Sequence, residues 1–261
     1  MPEEGAALLR VSGLAKSFGG VRAVVDCTFT VRAGTVVGLI GPNGAGKSTA
    51  IEVISGFQRP NGGEVTFDGT AIQGWSPHRV AGRGLLRTFQ TPREWGGLTV
   101  MDNMLIAADQ EGREKAWRAL FDRRGLRAAE AADRRRARHL LERFGLLQLR
   151  DEYAGALSGG QKRLLEFARI AMRRPRMVLL DEPCAGVNPV LQRNIEEAIL
   201  GLREDGIAVL LVEHNLPFVN RACNNIFVMA EGKTMAEGTL AALRQNTAVI
   251  DAYLGEVQAV V

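Results

Sequence analysis

Cysteine is scarce in this 261-residue chain, whose three cysteines are Cys27, Cys184 and Cys223. An odd number without metal-ligand spacing favours free, reduced thiols over disulfides or a zinc site. The sequence also lacks any run approaching the ~18 apolar residues that span a bilayer. Residues 1–10 carry acidic side chains and no long apolar segment, so they do not resemble a secretory signal. We therefore expect the chain to stay in the cytoplasm and to reach a membrane only through a partner.

Charge of one sign is not in large excess either. Lys and Arg total 33 and Asp and Glu total 29, for a net charge of +4. This excess is too small to indicate nucleic-acid binding by itself. The 46% hydrophobic content is enough to bury a core, and no internal repeat or low-complexity linker interrupts the sequence. We expect one folded unit with subdomains.

A glycine-rich segment directly follows the apolar run Val36–Ile40. It fits the pattern G-x-x-x-x-G-K-[ST], in which backbone N–H groups surround phosphates. Lys47 is expected to meet the β and γ phosphate oxygens, and Ser48 is expected to reach Mg²⁺. The residues predicted to bind ATP here are Gly41, Pro42, Asn43, Gly44, Ala45, Gly46, Lys47, Ser48 and Thr49.

A second anion-binding surface is predicted at the sequence Leu-Ser-Gly-Gly-Gln. Ser158, Gly159, Gly160 and Gln161 stand just before a run with helical apolar periodicity. Ser158, Gly159 and Gly160 should cap that helix, and the partial positive charge of a helix N-terminus attracts phosphate.

The pattern of apolar runs predicts a P-loop α/β fold. Buried strands covered on both faces are expected at residues 36–40, 177–180 and 208–212. The further predicted elements are strands at residues 8–11, 27–31, 64–67 and 85–89 and a helix at residues 49–54. Between Gln90 and Arg173 the sequence becomes mostly helical, which indicates an inserted lobe over about 91–173. Its arginine-rich stretch 113–138 is interpreted as a solvated helix face, with anionic lipid headgroups as the alternative.

Two adjacent carboxylates end the predicted strand at 177–180. A strand continuing through Asp181 and Glu182 would point them to opposite sides, so they can take different roles. Asp181 is the predicted Mg²⁺ partner, directly or through water. Glu182 is then available to orient and deprotonate the attacking water.

Three further side chains are candidates by position. His214 follows the strand at 208–212, where ligands of open α/β sheets bind, and could orient the water at the γ-phosphate. Gln90 stands where a strand passes into the helical lobe and could touch Mg²⁺ or water. Phe18 could stack on adenine, with a core position as the alternative.

Taken in chain order, these segments resemble the nucleotide-binding subunit of an ABC transporter. The resemblance identifies Gly41–Ser48 as Walker A, Gln90 as the Q-loop, residues 157–161 as the signature, residues 177–182 as Walker B with its catalytic glutamate, and His214 as the switch histidine. It implies an ABC-type ATPase domain over 8–255, with an antiparallel β subdomain and a helical signature lobe. It also implies catalytic roles for Lys47, Glu182 and His214, and a head-to-tail pair in which each ATP lies between Walker A of one subunit and the signature of the other.

Finer features resemble the branched-chain amino-acid uptake ATPases. This resemblance rests on residues 87–93, 97–100 and 249–255. Asn188 stands where many ABC ATPases have aspartate in the D-loop, and we interpret this as a trait of the subfamily. The implied partners are a second ATPase, either self or paralogue, two transmembrane permease subunits at the cytoplasmic face and, indirectly, an external solute-binding protein. Importers of urea or short amides and the lipopolysaccharide exporter share parts of the pattern, so they remain alternatives, and a soluble ABC ATPase without a transport role is the least favoured.

Overall fold

A computed structural model describes residues 7–88, 94–108 and 123–258. The strands form one ten-stranded mixed sheet in the order β5-β4-β1-β2-β10-β9-β3-β8-β7-β6. They are β1 (Ala7–Phe18), β2 (Val21–Arg32), β3 (Val36–Ile40), β4 (Gly62–Phe67), β5 (Thr70–Ala71), β6 (Leu85–Arg87), β7 (Met177–Asp181), β8 (Ala208–Val212), β9 (Asn225–Ala230) and β10 (Lys233–Gly238).

The parallel part of the sheet holds the most completely buried strands. Every residue of β3, β7 and β8 is buried. Strand β8 pairs in parallel with β3 on one side and with β7 on the other. Strands buried on both faces read as continuous apolar runs, which is why the sequence predicts β3 and β8 with their observed bounds.

One antiparallel part of the sheet contains β1, β2, β4 and β5, and β9 and β10 form a separate antiparallel pair. Strands β1 and β2 are each 12 residues long, so the short strands predicted at 8–11 and 27–31 were wrong in length. Register shifts interrupt the β1–β2 ladder, including one between Val11 and Leu14. Such bulges break the alternation of buried and exposed residues on which a strand prediction depends.

The helix predicted at residues 49–54 is observed as α1, which starts at Lys47 rather than at residue 49. Among the described residues, no helix combines the length and the low polarity that a bilayer crossing requires. The helices are α1 (Lys47–Ile54), α2 (Pro77–Gly82), α3 (Val100–Ala108), α4 (Arg123–Arg143), α5 (Gly159–Met172), α6 (Pro189–Glu204), α7 (Leu216–Ala222), α8 (Leu240–Leu243) and α9 (Thr247–Gln258).

The chain divides into two compact units. The first contains the described residues of Met1–Gln90, Arg176–Ala185 and Ile199–Val261, and it holds the sheet. The second contains those of Thr91–Pro175 and Gly186–Ala198. In the second unit, α3, α4 and α5 pack against one another. In the arginine-rich part of α4, the described side chains of Arg127, Arg134, Arg135 and Arg138 are exposed.

Candidate active site

The glycine-rich loop connects β3 to α1 in the first unit. Gly46 precedes α1 with φ 94°, and a Cβ at this position would meet the carbonyl oxygen of Ala23. Glycine is therefore required by both backbone conformation and space. Because Gly46 has no side chain, it gives the first turn of α1 no side-chain cap, and the N-terminus of a helix favours a bound anion.

Lys47 is held inside this loop. Its side chain is buried, and Nζ donates hydrogen bonds to the carbonyl oxygens of Gly41 and Pro42, both at 2.7 Å. The ammonium is thus fixed within the loop that is predicted to surround the phosphates. The other loop residues divide into exposed Asn43, Gly44 and Ser48, half-buried Pro42, Gly46 and Thr49, and buried Gly41 and Ala45.

Asp181 ends β7 as a buried carboxylate paired on one side only. Arg87 Nη2, from the end of β6, lies 3.2 Å from Asp181 Oδ2, and the two side chains are 12% and 2% exposed. The second oxygen, Oδ1, is buried and has no hydrogen-bond partner within the described part of the chain. A buried carboxylate oxygen without a donor is costly, so this atom is suited to receive a cation or a water bound to one.

Glu182 does not continue β7. Its φ is +47°, in the left-handed region that L-residues seldom adopt, and its N–H donates to the Val212 carbonyl at 2.9 Å. The strand ends at Asp181 and the backbone turns at Glu182, so the pleat of a continuing strand, on which the sequence interpretation depended, does not apply to this pair. Glu182 Oε1 lies 4.0 Å from His214 Nδ1.

Glu213, a buried acid to which the sequence assigned no role, lies between the end of β8 and the exposed His214. Glu213 Oε1 accepts a hydrogen bond from the Cys184 N–H at 2.9 Å, and Oε2 accepts from the N–H groups of His214 at 3.2 Å and Asn215 at 3.4 Å. The sequence signal that could have identified Glu213 is a charged residue that directly follows an apolar strand and directly precedes His214. Arg87, another residue without a predicted role, carried only the weaker signal of a cation at a strand end.

Ser158 caps α5 in the second unit, as the sequence predicts. Its Oγ accepts from the Gln161 N–H at 3.3 Å, and Gln161 Oε1 accepts from the Ser158 N–H at 2.9 Å, which is a capping box. The exposed Gly159 and half-buried Gly160 occupy the first turn, whose N–H groups have no intrahelical acceptor. A Cβ on Gly160 would collide with Leu191 of α6.

The contacts of Asn188 explain why asparagine fits where many ABC ATPases have aspartate. Its Oδ1 accepts from the Leu191 N–H at 2.9 Å, just before α6 begins at Pro189. Asparagine and aspartate are about equally effective as N-cap residues, so this helix start tolerates either one.

Phe18 is an exposed aromatic residue at the end of β1. Its side chain is 43% exposed, so it is not the core residue considered as an alternative. Lys16 Nζ lies 4.7 Å from the ring centroid. Gln90 and residues 91–93 lie outside the described residues.

The first unit thus brings the three predicted catalytic residues, Lys47, Glu182 and His214, to one edge of the sheet. The glycine-rich loop, His214 and the Asp181–Glu182 pair follow β3, β8 and β7, three parallel neighbours in the sheet. This edge offers N–H donors and a lysine for phosphate, an unpaired carboxylate oxygen for a cation, and a carboxylate beside an imidazole for a water.

Comparisons with known proteins point to one family. The family described as ABC transporter matches residues 24–185, and the family described as branched-chain amino acid ATP-binding cassette transporter matches residues 233–259. The chain is 40% identical over 250 residues to the high-affinity branched-chain amino acid transport ATP-binding protein BraF of Pseudomonas aeruginosa, and 37% identical over 250 residues to LivG of Escherichia coli. Each alignment covers 95% of this chain and 98% of the relative.

Solved structures give the same result. The ADP conformation of an ATP-binding cassette from an ABC transporter is 34% identical, with a TM-score of 0.80 over 96% of this chain and 99% of that one. A nucleotide-free cassette from an ABC transporter, also 34% identical, has a TM-score of 0.79 over 95% and 99%. The predicted fold class is confirmed, and the chain belongs to the ABC transporter family as one of its nucleotide-binding ATPase subunits.

Proposed function

We propose that this chain is the ATP-hydrolysing subunit of an ABC importer for branched-chain amino acids, bound to its permease subunits at the cytoplasmic face of the membrane. The names of the relatives BraF and LivG support the solute class, as does the family match at residues 233–259. The alignments cover nearly the whole chain, so the proposal does not depend on one motif.

The observation that carries the chemistry is the shared edge of β3, β8 and β7. In an open parallel sheet, ligands bind outside the carboxyl ends of the strands. Here those ends present the phosphate loop with Lys47, the carboxylates of Asp181 and Glu182, and the imidazole of His214. This shared edge supports our proposal that these groups, which are far apart in sequence, act on the γ-phosphate of one ATP.

Mg²⁺ fits the groups available at this edge. The buried, unpartnered Oδ1 of Asp181 and the exposed hydroxyl of Ser48 are oxygen ligands of the type that Mg²⁺ prefers alongside water and phosphate. Gln90, outside the described residues, is the third proposed ligand. When bound there, Mg²⁺ would supply positive charge that balances the phosphate oxygens.

In the proposed reaction, Glu182 orients a water and accepts its proton as the oxygen attacks the γ-phosphorus. The bond from that phosphorus to the bridging oxygen breaks, which releases ADP and inorganic phosphate. Lys47 and the N–H groups of the loop stabilise the negative charge of the phosphoryl group. His214 holds the water and the γ-phosphate in line. Phe18 provides a face on which adenine stacks.

The second half of each site is proposed to come from another ATPase subunit. The N-terminus of α5, with Ser158, Gly159, Gly160 and Gln161, would face the γ-phosphate bound by the other subunit's glycine-rich loop. That subunit is either a second copy or a paralogue. ATP closes the pair only by binding the closed state more tightly than the open state.

The test of the solute class is purification of the assembled transporter with its external binding protein. That protein is screened by calorimetry against leucine, isoleucine, valine, urea and short amides. We expect binding of the branched-chain amino acids and stimulation of ATP hydrolysis by the loaded binding protein. Binding of urea or short amides alone, or recovery of a lipopolysaccharide-export pair, would overturn the importer assignment and leave the ATPase chemistry in place.

A further inference from the structure

Glu213 is a buried carboxylate to which the proposed reaction assigns no chemistry. It is 1% exposed, yet it directly continues the wholly buried strand β8. A charged group is rarely buried unless hydrogen bonds or counter-charges compensate for its lost hydration. Here the compensation comes from three backbone N–H donors, and both carboxylate oxygens accept.

The donors belong to two different segments of the chain. Cys184 lies in the turn after β7, two residues beyond Glu182, whereas His214 and Asn215 lie in the turn after β8. Oε1 binds the first segment and Oε2 binds the second. One carboxylate therefore connects the loop that carries the proposed base to the loop that carries the histidine.

Each of the two connected loops is also restrained by a further hydrogen bond. The Ala185 N–H donates to the Glu182 carbonyl at 3.1 Å, which closes a turn around Cys184. The Asn215 side chain caps α7 by accepting from the Phe218 N–H at 3.2 Å. The contacts of Glu213 complete the restraint on both loops, including the left-handed backbone at Glu182, which persists only when its surroundings over-determine it.

We propose that Glu213 is a positioning residue for ATP hydrolysis: it sets the position of Glu182 relative to His214, whose side chains lie 4.0 Å apart at Oε1 and Nδ1. Catalytic groups must be held to about 0.5 Å, so a small separation of the two loops is sufficient to slow the reaction. Glu213 transfers no proton and touches no substrate. The inference rests on the proposed function of this site.

The direct test is Glu213→Gln in the full chain. The amide has the same shape, but only its oxygen can accept, so its NH₂ group must face the N–H of Cys184 or those of the β8 loop. We expect kcat to fall about 10- to 100-fold, the range typical when the hydrogen-bond partner of a metal ligand is removed, with KM for ATP within about threefold. Glu213→Asp keeps the charge but is one methylene shorter, so it should lose kcat as well.

The matched control is Glu237→Gln. Glu237 is an exposed acid of the same unit whose Oε1 accepts from Asn225 Nδ2 at 2.7 Å, far in sequence from both loops. This variant should keep the wild-type kcat. All rates are divided by the number of ATP-binding sites measured in the same preparation with a fluorescent ATP analogue, so that loss of folded protein is not counted as loss of kcat.

A double-mutant cycle separates positioning from a general structural role. If Glu213 acts by placing Glu182 relative to His214, its effect should nearly vanish once His214 is absent. Glu213→Gln in a His214→Ala background should therefore reduce kcat by less than about threefold. Multiplication of the two single losses would overturn the proposal, and so would a wild-type kcat in Glu213→Gln.

The inference and the proposed function fail in different ways. If the wild-type chain hydrolyses ATP and Glu182→Gln does not, the proposed function of the site stands whatever Glu213→Gln shows. If Glu182→Gln retains wild-type turnover, the proposed base is wrong, and the role given to Glu213 is wrong with it.

Discussion

Removal of Arg87 tests how the carboxylate of Asp181 is held before any cation binds. Arg87→Ala deletes the guanidinium 3.2 Å from Asp181 Oδ2 and leaves a carboxylate that is 2% exposed. The other oxygen of Asp181 already lacks a partner among the described residues. The variant should therefore be strongly destabilised when nucleotide and Mg²⁺ are absent.

The size of the effect follows from burial and distance. Two unit charges 3.2 Å apart attract by about 5 kcal/mol at an effective dielectric constant of about 20. Breaking a buried pair typically costs about 3 to 5 kcal/mol, because the remaining charge is uncompensated. Water can reach Arg87, which is 12% exposed, so we expect the low end, about 3 kcal/mol. For a chain of this size, that loss lowers Tm by about 6 to 12 °C.

The matched control is Arg83→Ala, in the same unit. Arg83 Nη2 lies 3.8 Å from Asp68 Oδ2, and these side chains are 44% and 32% exposed. Asp68 keeps its second partner, Arg176, in the variant. A pair this exposed contributes less than about 1 kcal/mol, so Tm should fall by less than about 4 °C.

The assay is differential scanning fluorimetry of both variants without ATP and Mg²⁺, followed by a double-mutant cycle of Arg87→Ala with Asp181→Ala. Because the second substitution removes the stranded carboxylate, the coupling between the two sites should be about 2 kcal/mol. Equal losses of Tm in Arg87→Ala and Arg83→Ala would refute the reasoning from burial. A coupling near zero would show that the two charges do not support each other.

Glu182→Gln should bind ATP with wild-type affinity but hydrolyse it about 10² to 10⁴-fold more slowly, measured by phosphate release, because the amide keeps the shape and cannot accept the proton; near-normal turnover would remove Glu182 from the role of base. Lys47→Ala should instead lose ATP binding in an equilibrium titration, since the charge held in the loop disappears. Unchanged affinity would contradict its proposed phosphate contact. Burial raises the pKa of Cys27 to about 12, and burial together with the negative charge of Glu213 raises that of Cys223 to about 12. Iodoacetamide at pH 8 should therefore alkylate the buried Cys27 about 10³-fold more slowly than in the denatured chain, read by mass spectrometry, and the half-buried Cys223 should also react more slowly; equal rates would contradict the raised pKa of these thiols.

Local sequence patterns predicted the parts of the site that are contiguous in the chain. The apolar run of β3, the glycine-rich loop and Lys47 at the start of α1 are neighbours in sequence, so spacing alone specifies them. The N-cap at Ser158 was likewise predictable, because a capping box needs only a Ser and a Gln three residues later.

Predictions that depended on regular alternation or on distant partners were weaker. Strand β1 extends to Phe18, but bulges interrupt its pattern, and only the pairing with β2 and β4 defines its length. Strands β9 and β10 were not predicted, although β9 pairs with β3 beside the phosphate loop. Propensity along one segment does not reveal which strand will lie next to it.

The sequence by itself determined the family and the glycine-rich loop, and it supplied the prediction of which groups act on ATP. Tertiary structure decided how those groups are held: Arg87 meets one oxygen of Asp181, Glu213 connects the loops after β7 and β8, and Glu182 turns away from its strand. The physical reason is the range of the interactions. A cap or a phosphate loop is built from residues a few positions apart, whereas a buried carboxylate is compensated by donors up to 94 positions away, which only the folded chain brings within hydrogen-bonding distance.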